Sequence, residues 1–396
     1  MKIVGIIAEY DPFHAGHAWQ IAQARQMGAE AVVCVMSPSV VQRGSFALFP
    51  TQVRVRAALA GGADLVLCLP APYATLSAEG FAAAGVGILD ALGCVDTLCF
   101  GAETPDAGLL QRTAHTLCRA SFQREMGHTL KNGTSFASAR AAAAESVQPG
   151  AAKVLATPNN ILGVEYCKAI EMQKSALAVL PLPRKGADHG QTAPDETGFS
   201  SASTLRRLFS EQGAQALAPY VPNPCLPLYQ RAQQDGLFHN ETAASVALLS
   251  RLRGLSLRQL AGIRGVNEGL EHRLQHGIQT TSSLSELYDA LKTKRYAHAR
   301  LRRLVLDAAL GYTNALPALP PYLHVLGASG AGLSLLKTAK RTARLPLSVS
   351  LAHLKRESDA TRLVADAHSA AEDLAALCLS SPLPCKTAYT QPFIFG

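Results

Sequence analysis

The sequence predicts an α/β fold: a doubly wound parallel sheet followed by a mainly helical C-terminal domain. Three observations carry this. Over residues 1 to about 101, short apolar, partly β-branched runs alternate with helical patterns, which is βαβα order. A stretch with four prolines and no charge, residues 213–228 (GAQALAPYVPNPCLPL), interrupts the chain. Beyond it one helical pattern follows another. The expected division is an α/β unit at 1–212, a Pro-rich linker at 213–228 and a basic helical unit at 229–396.

Residues 3–8 (IVGIIA) suit a strand buried on both faces, and Pro12 ends it. A helical pattern starts at Gly16 and runs to Met27. His14 and His17 therefore fall at a strand-to-helix turn, where unpaired backbone N–H groups favour an anion. Gly16 between them lets a phosphoryl group approach the backbone, and both imidazoles can donate to its oxygens. Two histidines three apart can also form half a metal site or be plain surface polarity. The strand, the proline-marked turn, the glycine and the following helix favour nucleotide binding.

Further strands are expected at 31–36, 65–69 and 97–100, separated by helices at 51–60 and 77–92. Gly101 and Glu103 follow the last of these strands, on the side of such a sheet where ligands bind, although Gly101 is equally well an ordinary turn glycine. The polar loop 37–49 carries Gln42-Arg43-Gly44; Arg43 could hold a carboxylate or phosphate, and equally well be a solvated surface arginine. Helices are expected at 109–119, 135–145 and 161–172, and a fifth strand at 176–180. Capping of the helix after Thr157-Pro158 accounts for one of Asn159 and Asn160, leaving the other to face the crevice. Arg184, just past the fifth strand, is a candidate phosphate contact. Ser200-Ser201-Ala202-Ser203-Thr204-Leu205-Arg206 opens another helix with several hydroxyls and an arginine.

The net charge of +8 is concentrated. Residues 240–344 hold 15 Lys/Arg and 6 Asp/Glu, or +9, which leaves −1 for the rest. Within that window Lys292, Lys294, Arg295, Arg300, Arg302 and Arg303 surround Tyr296, a grouping that suits RNA backbone contact. The tail has a strand-like piece at 345–351 and a helix at 359–379. The most apolar long window, 78–100, is broken by Glu79, Asp90 and Asp96, so no membrane span is expected, and with no leader-like start the location expected is cytoplasmic. Nine cysteines without a CxxC pair, several in apolar runs (Cys34, Cys68, Cys99), read as reduced, buried thiols.

His14-Ala15-Gly16-His17, with Asp11 three residues before the first histidine, resembles the HxGH signature of the nucleotidyltransferase superfamily. The serine-rich helix start ending in Arg206 resembles that superfamily's second motif. Taken alone, residues 1–212 would equally fit a small-molecule nucleotidyltransferase joining AMP or CMP to a phosphorylated acceptor. A catalytically silent RNA-binding protein with a vestigial pocket is a further alternative. The whole chain to about residue 345, however, resembles the tRNA(Met) cytidine acetate ligase family. The matching segments are EYDPFHAGH (Glu9 to His17), QRG (Gln42 to Gly44), CFGAE (Cys99 to Glu103), NNILGVEY (Asn159 to Tyr166), GLEHRL (Gly269 to Leu274) and KTKRYAHARLRR (Lys292 to Arg303). Two departures stand out: Asp11 replaces the family's asparagine, and Asp188-His189 replaces an aromatic-His pair.

The resemblance implies ATP-dependent conversion of acetate to acetyladenylate, then transfer of acetyl to the wobble cytidine of elongator tRNA(Met). It implies catalytic roles for His14, His17 and Arg206. ATP would be lined by Ile7, Ala8, Glu9, Tyr10, Asp11, Phe13, His14, Gly16, His17, Gly101, Asn159, Asn160, Arg184, Ser201 and Ser203. Lys292, Lys294, Arg295, Arg300 and Arg303 would meet the tRNA. Mg2+ is expected to accompany ATP, with no metal cage built by the protein.

Overall fold

The computed structural model describes residues 2–131, 136–184, 199–267, 269–293 and 296–396. Its strands are β1 (Ile3–Ala8), β2 (Ala31–Met36), β3 (Val40–Val41), β4 (Ser45–Phe46), β5 (Leu65–Cys68), β6 (Thr97–Ala102), β7 (Ala178–Pro183), β8 (Leu323–Ala328), β9 (Leu347–Ser348) and β10 (Ile394–Phe395). The main sheet has the order β10-β8-β5-β2-β1-β6-β7, with β9 beside β8. From β1 the chain winds one way to β2 and β5, then returns to lay β6 and β7 on the other side of β1, all parallel. The winding reverses at β1. A crevice therefore opens at the carboxyl ends of β1 and β6.

Alternation along the strands divides the core between the two faces of the sheet. Val33, Val35, Leu65 and Leu67 belong to one buried cluster, and Val32, Cys34, Met36 and Val66 to the other. β7 tolerates Pro181 and Pro183 because it is an edge strand. Cys34, Cys68 and Cys99 are buried free thiols, as expected. Among the described residues no helix is long and apolar enough to cross a membrane.

The strand-like piece expected at 345–351 contains β9, whereas β8 and β10 are strands that the sequence pattern does not mark. β8 runs antiparallel to β5, with Leu65 opposite Ala328, and β10 pairs with β8 through Ile394 and Gly327. Residues 213–228 are packed rather than extended. They contain a 3-10 helix, Ala214–Tyr220, and the start of the helix Leu226–Gln234. The Tyr229 ring stacks on Phe49 at 4.8 Å and its hydroxyl donates to the Phe13 carbonyl at 2.8 Å. The sequence after this segment forms the expected helices, among them Glu241–Arg253, Leu270–Thr280, Leu284–Leu291 and His298–Leu310.

The tail also holds the loop that follows β2. Glu372, on the helix Asp359–Leu377, is buried and accepts from the Ser39 N–H at 2.7 Å, the Ser39 hydroxyl at 3.0 Å and the Thr51 hydroxyl at 3.0 Å. Alanine at 372 would orphan that amide and leave the two buried hydroxyls only each other, at 3.2 Å. Glu372→Ala is expected to destabilise the protein by about 1–3 kcal/mol. Chemical denaturation followed by circular dichroism would measure it; an unchanged midpoint would mean that water replaces the carboxylate.

Candidate active site

The crevice at the end of β1 is built by the turn 9–14 and the helix Ala15–Gln26. His14 caps this helix: its Nδ1 accepts the Gly16 N–H at 3.0 Å. His17 reaches back, its Nδ1 accepting the His14 N–H at 3.3 Å. The rings stack with centroids 3.8 Å apart. A Cβ on Gly16 would approach the His14 ring to 2.9 Å, so glycine is required for this stack as well as for room above the backbone.

These bonds fix the tautomers. An imidazole whose Nδ1 accepts carries its proton on Nε2. Burial, then Arg184 and Arg206, push the His14 pKa down to about 3; burial, then His14 and Arg184, hold His17 well below its usual value. Both rings are therefore neutral at physiological pH and present Nε2–H donors at a helix N-terminus. Two consequences follow. Adenylation should show no loss of rate as pH falls through 6.5, because these histidines do not charge there; a downward limb near pH 6.5 that His17→Gln abolishes would contradict this. Stability should decline as pH falls from about 6.5 towards the folded-state values, where only the unfolded chain binds protons.

Cations flank the pair. Arg206 donates to the Asp11 carbonyl at 2.6 Å and lies 3.5 Å from its carboxylate. Burial, only partly offset by Asp11, lowers its pKa to about 10, so it stays charged. Arg43, from the Gln42-Arg43-Gly44 loop, pairs with the buried Asp11 carboxylate, which also accepts the Leu48 N–H at 2.6 Å. Burial opposes ionisation of Asp11, but Arg43, Arg206, Arg54 and that amide together hold its pKa below the ordinary value. The aspartate that departs from the resembling family's asparagine thus ties two arginines to the turn.

Other expected site residues divide by position. Ile7 and Ala8 end β1, and the Glu9 carboxylate accepts the Gln42 N–H at 2.6 Å. Gly101 lies within β6 with open space where a side chain would project. Arg184 follows β7, close enough to act electrostatically on both histidines. Ser201 caps the helix Ala202–Gln212 and bonds to the Ser203 hydroxyl at 2.9 Å, while Ser203 is exposed. Three side chains are buried. Tyr10 lies against Cys34, Phe13 is fully buried, and both rings pack on His17, with centroids 4.8 and 5.5 Å away; Asn160 is bonded to Thr104. One of the two asparagines was expected to cap and the other to face the crevice; Asn160 is buried and pins the loop after β6. Glu103 supplies the cap, accepting the Asn160 N–H at 2.8 Å and the Asn159 side-chain N–H at 2.6 Å.

Sequence reasoning missed Arg54, which is fully buried and donates to the carbonyls of Glu9, Pro38 and Phe49. It also missed the buried Ser37 hydroxyl, which, like that of Ser200 in the serine-rich helix start, has no hydrogen-bond partner among the described residues. Ser37 follows β2, and its N–H donates to Ala8 at the end of β1. No local pattern distinguishes Ser37 from a turn residue.

The basic cluster meets this site from the other side. Gly44, with φ +81°, presses against the backbone of Arg302 and Arg303, where any Cβ would come within 2.5 Å of main chain. Arg303 reaches the Gln42 carbonyl at 3.4 Å. Lys292, Arg300 and Arg303 share a groove of about 870 Å³. Lys294, Arg295 and the Asp188-His189 pair lie outside the described residues.

Away from the crevice, Cys68, His324 and His368 bring ligand-capable atoms within 4.8 Å of one another in the core. The Ala71 N–H donates to His368 Nδ1 at 3.2 Å, which leaves the ring proton on Nε2, facing the Cys68 sulfur at 3.9 Å. A cation there would have to displace that proton against the amide.

The strand order and the paired imidazoles define a nucleotide-binding crevice of the nucleotidyltransferase kind. The sequence profile described as HIGH Nucleotidyl Transferase matches residues 1–383. Curated relatives include the tRNA(Met) cytidine acetate ligase of Caldanaerobacter subterraneus, 33% identical over 92% of each chain. That of Syntrophotalea carbinolica is 34% identical over 89% of this chain and 86% of its own. Among solved structures, Thermotoga maritima TmcAL in its apo form superposes with a TM-score of 0.92 at 28% identity, and the same protein bound to alpha-thio ATP with 0.89 at 27%, each over 100% of both chains. The chain belongs to the tRNA(Met) cytidine acetate ligase family of HIGH nucleotidyltransferases.

Proposed function

We propose that this protein is an ATP-dependent ligase acting in two steps. An acetate oxygen attacks the α-phosphorus of ATP, forming acetyladenylate and releasing pyrophosphate. The N4 amine of the wobble cytidine of elongator tRNA(Met) then attacks the acetyl carbonyl. AMP leaves with its electron pair, the amine loses a proton, and N4-acetylcytidine results.

The observation that carries this reading is the pair of neutral imidazoles with Nε2–H donors at one helix N-terminus. They suit oxygens that gain charge as phosphorus is displaced. Arg206 and Arg184 add positive charge for the leaving pyrophosphate, and Ser201 and Ser203 place hydroxyls beside it. Gly101 leaves space beside the switch point for the nucleoside. The carboxylates of Glu9, Asp11 and Glu103 are engaged by protein donors, so Mg2+ would arrive on the phosphates. The helical half, with Lys292, Lys294, Arg295, Arg300 and Arg303, would hold the tRNA backbone.

The test is mass spectrometry of elongator tRNA(Met) transcript incubated with protein, ATP and acetate, beside a reaction lacking ATP. ATP-dependent N4-acetylcytidine at the wobble position is expected. Acetate-dependent exchange of pyrophosphate into ATP without tRNA modification would overturn the acceptor; absence of both would overturn the ligase reading.

A further inference from the structure

We infer that Phe136 is a stacking platform for an unpaired base of the RNA substrate, an inference that rests on the tRNA-acetylating reading above. Phe136 begins the helix Phe136–Val147 and leaves 63% of its surface exposed. The ring is not stranded on a featureless face. It lines the same groove as Lys292, Arg300 and Arg303, whose charge complements phosphates spaced along a single strand.

The groove lies on the substrate side of the sheet. Its wall includes Thr75, Leu76 and Ser77, which follow β5 beyond its carboxyl end, as the His14–His17 turn follows β1. At the opposite wall Arg303 touches Gln42, in the loop whose Arg43 is paired with Asp11. A strand laid in the groove would thus have its backbone on the cations while its next nucleotides approach the adenylate. The helix bearing Phe136 is anchored, since Arg140 pairs with the buried Glu165 of the helix Pro158–Met172. An aromatic face on a fixed helix meets a base without regard to its hydrogen-bonding edge, so it would orient the loop without selecting its sequence.

The experiment is a filter-binding titration of elongator tRNA(Met) transcript against the parent protein, Phe136→Ala and Phe136→Trp over a range of salt. Phe136→Ala is expected to weaken binding about ten-fold, the loss of one base–aromatic stack, with the salt slope unchanged. Phe136→Trp should bind as the parent does. Lys292→Ala, as the contrast, should lower the salt slope by about one. Phe136→Ala binding within two-fold of the parent would overturn the inference, as would a loss that tryptophan does not restore. A parent that binds no tRNA would remove the underlying reading, and this inference with it.

Discussion

Replacing His17 by alanine is expected to slow acetate-dependent exchange of pyrophosphate into ATP by about a hundred- to a thousand-fold, the usual loss for one preorganised donor to a developing oxyanion. The effect should be large because the ring does two things. Its Nε2–H is one of the two neutral donors at the helix N-terminus, and its Nδ1 holds the His14 backbone N–H at 3.3 Å. Without it the His14 ring also loses its stacking partner at 3.8 Å. His17→Gln keeps a donor but not the ring, and should recover only part of the rate. Transfer RNA affinity should change little, since the basic groove is separate from this turn. Loss of exchange and tRNA binding in equal measure would make the histidine a structural residue.

The largest stability effect is expected at Asp11. Its carboxylate is almost fully buried, pairs with Arg43, accepts the Leu48 N–H and sits 3.5 Å from Arg206. Asp11→Ala would leave the Arg43 and Arg206 guanidinium groups, beside the buried Arg54, with Glu9 in place of two carboxylates to offset them, at a cost of about 3–5 kcal/mol. Asp11→Asn keeps an oxygen for the Leu48 amide and should cost less. The pH dependence has a definite sign. The folded pKa lies below that of the unfolded chain, so the contribution is complete above about pH 4 and is lost as pH falls through the folded value. Urea denaturation at pH 7 and pH 3 should show the asparagine variant closing on the parent as pH drops. A constant gap would mean that folding does not depress the Asp11 pKa.

What was legible in the sequence was what is local in the fold. The strand, turn, glycine and helix around His14 and His17 are contiguous, and each carries its own signal of periodicity or chain reversal. That the sheet is parallel and doubly wound follows from βαβα order; that the winding reverses at β1 does not. What was not legible depends on distant partners. β8 is a short run whose neighbour, β5, comes from the other end of the catalytic half, so pattern alone does not mark it as part of the sheet. Glu372 and Ser39 are 333 residues apart, and nothing near either announces the contact. Asn160 illustrates competition for one role. Reasoning from caps assigned an asparagine to the helix start, whereas Glu103 from the next loop took that place and left Asn160 to bind Thr104.

The sheet is completed by residues that lie beyond the basic helices in the chain. Without β8 and β10, β5 would present a bare row of N–H and C=O groups, an invitation to aggregation. Without Glu372, the loop bearing Arg43 would lose its anchor. A chain shortened at its end is therefore expected to lose the crevice together with the tail: the front of the molecule is held in shape by its back.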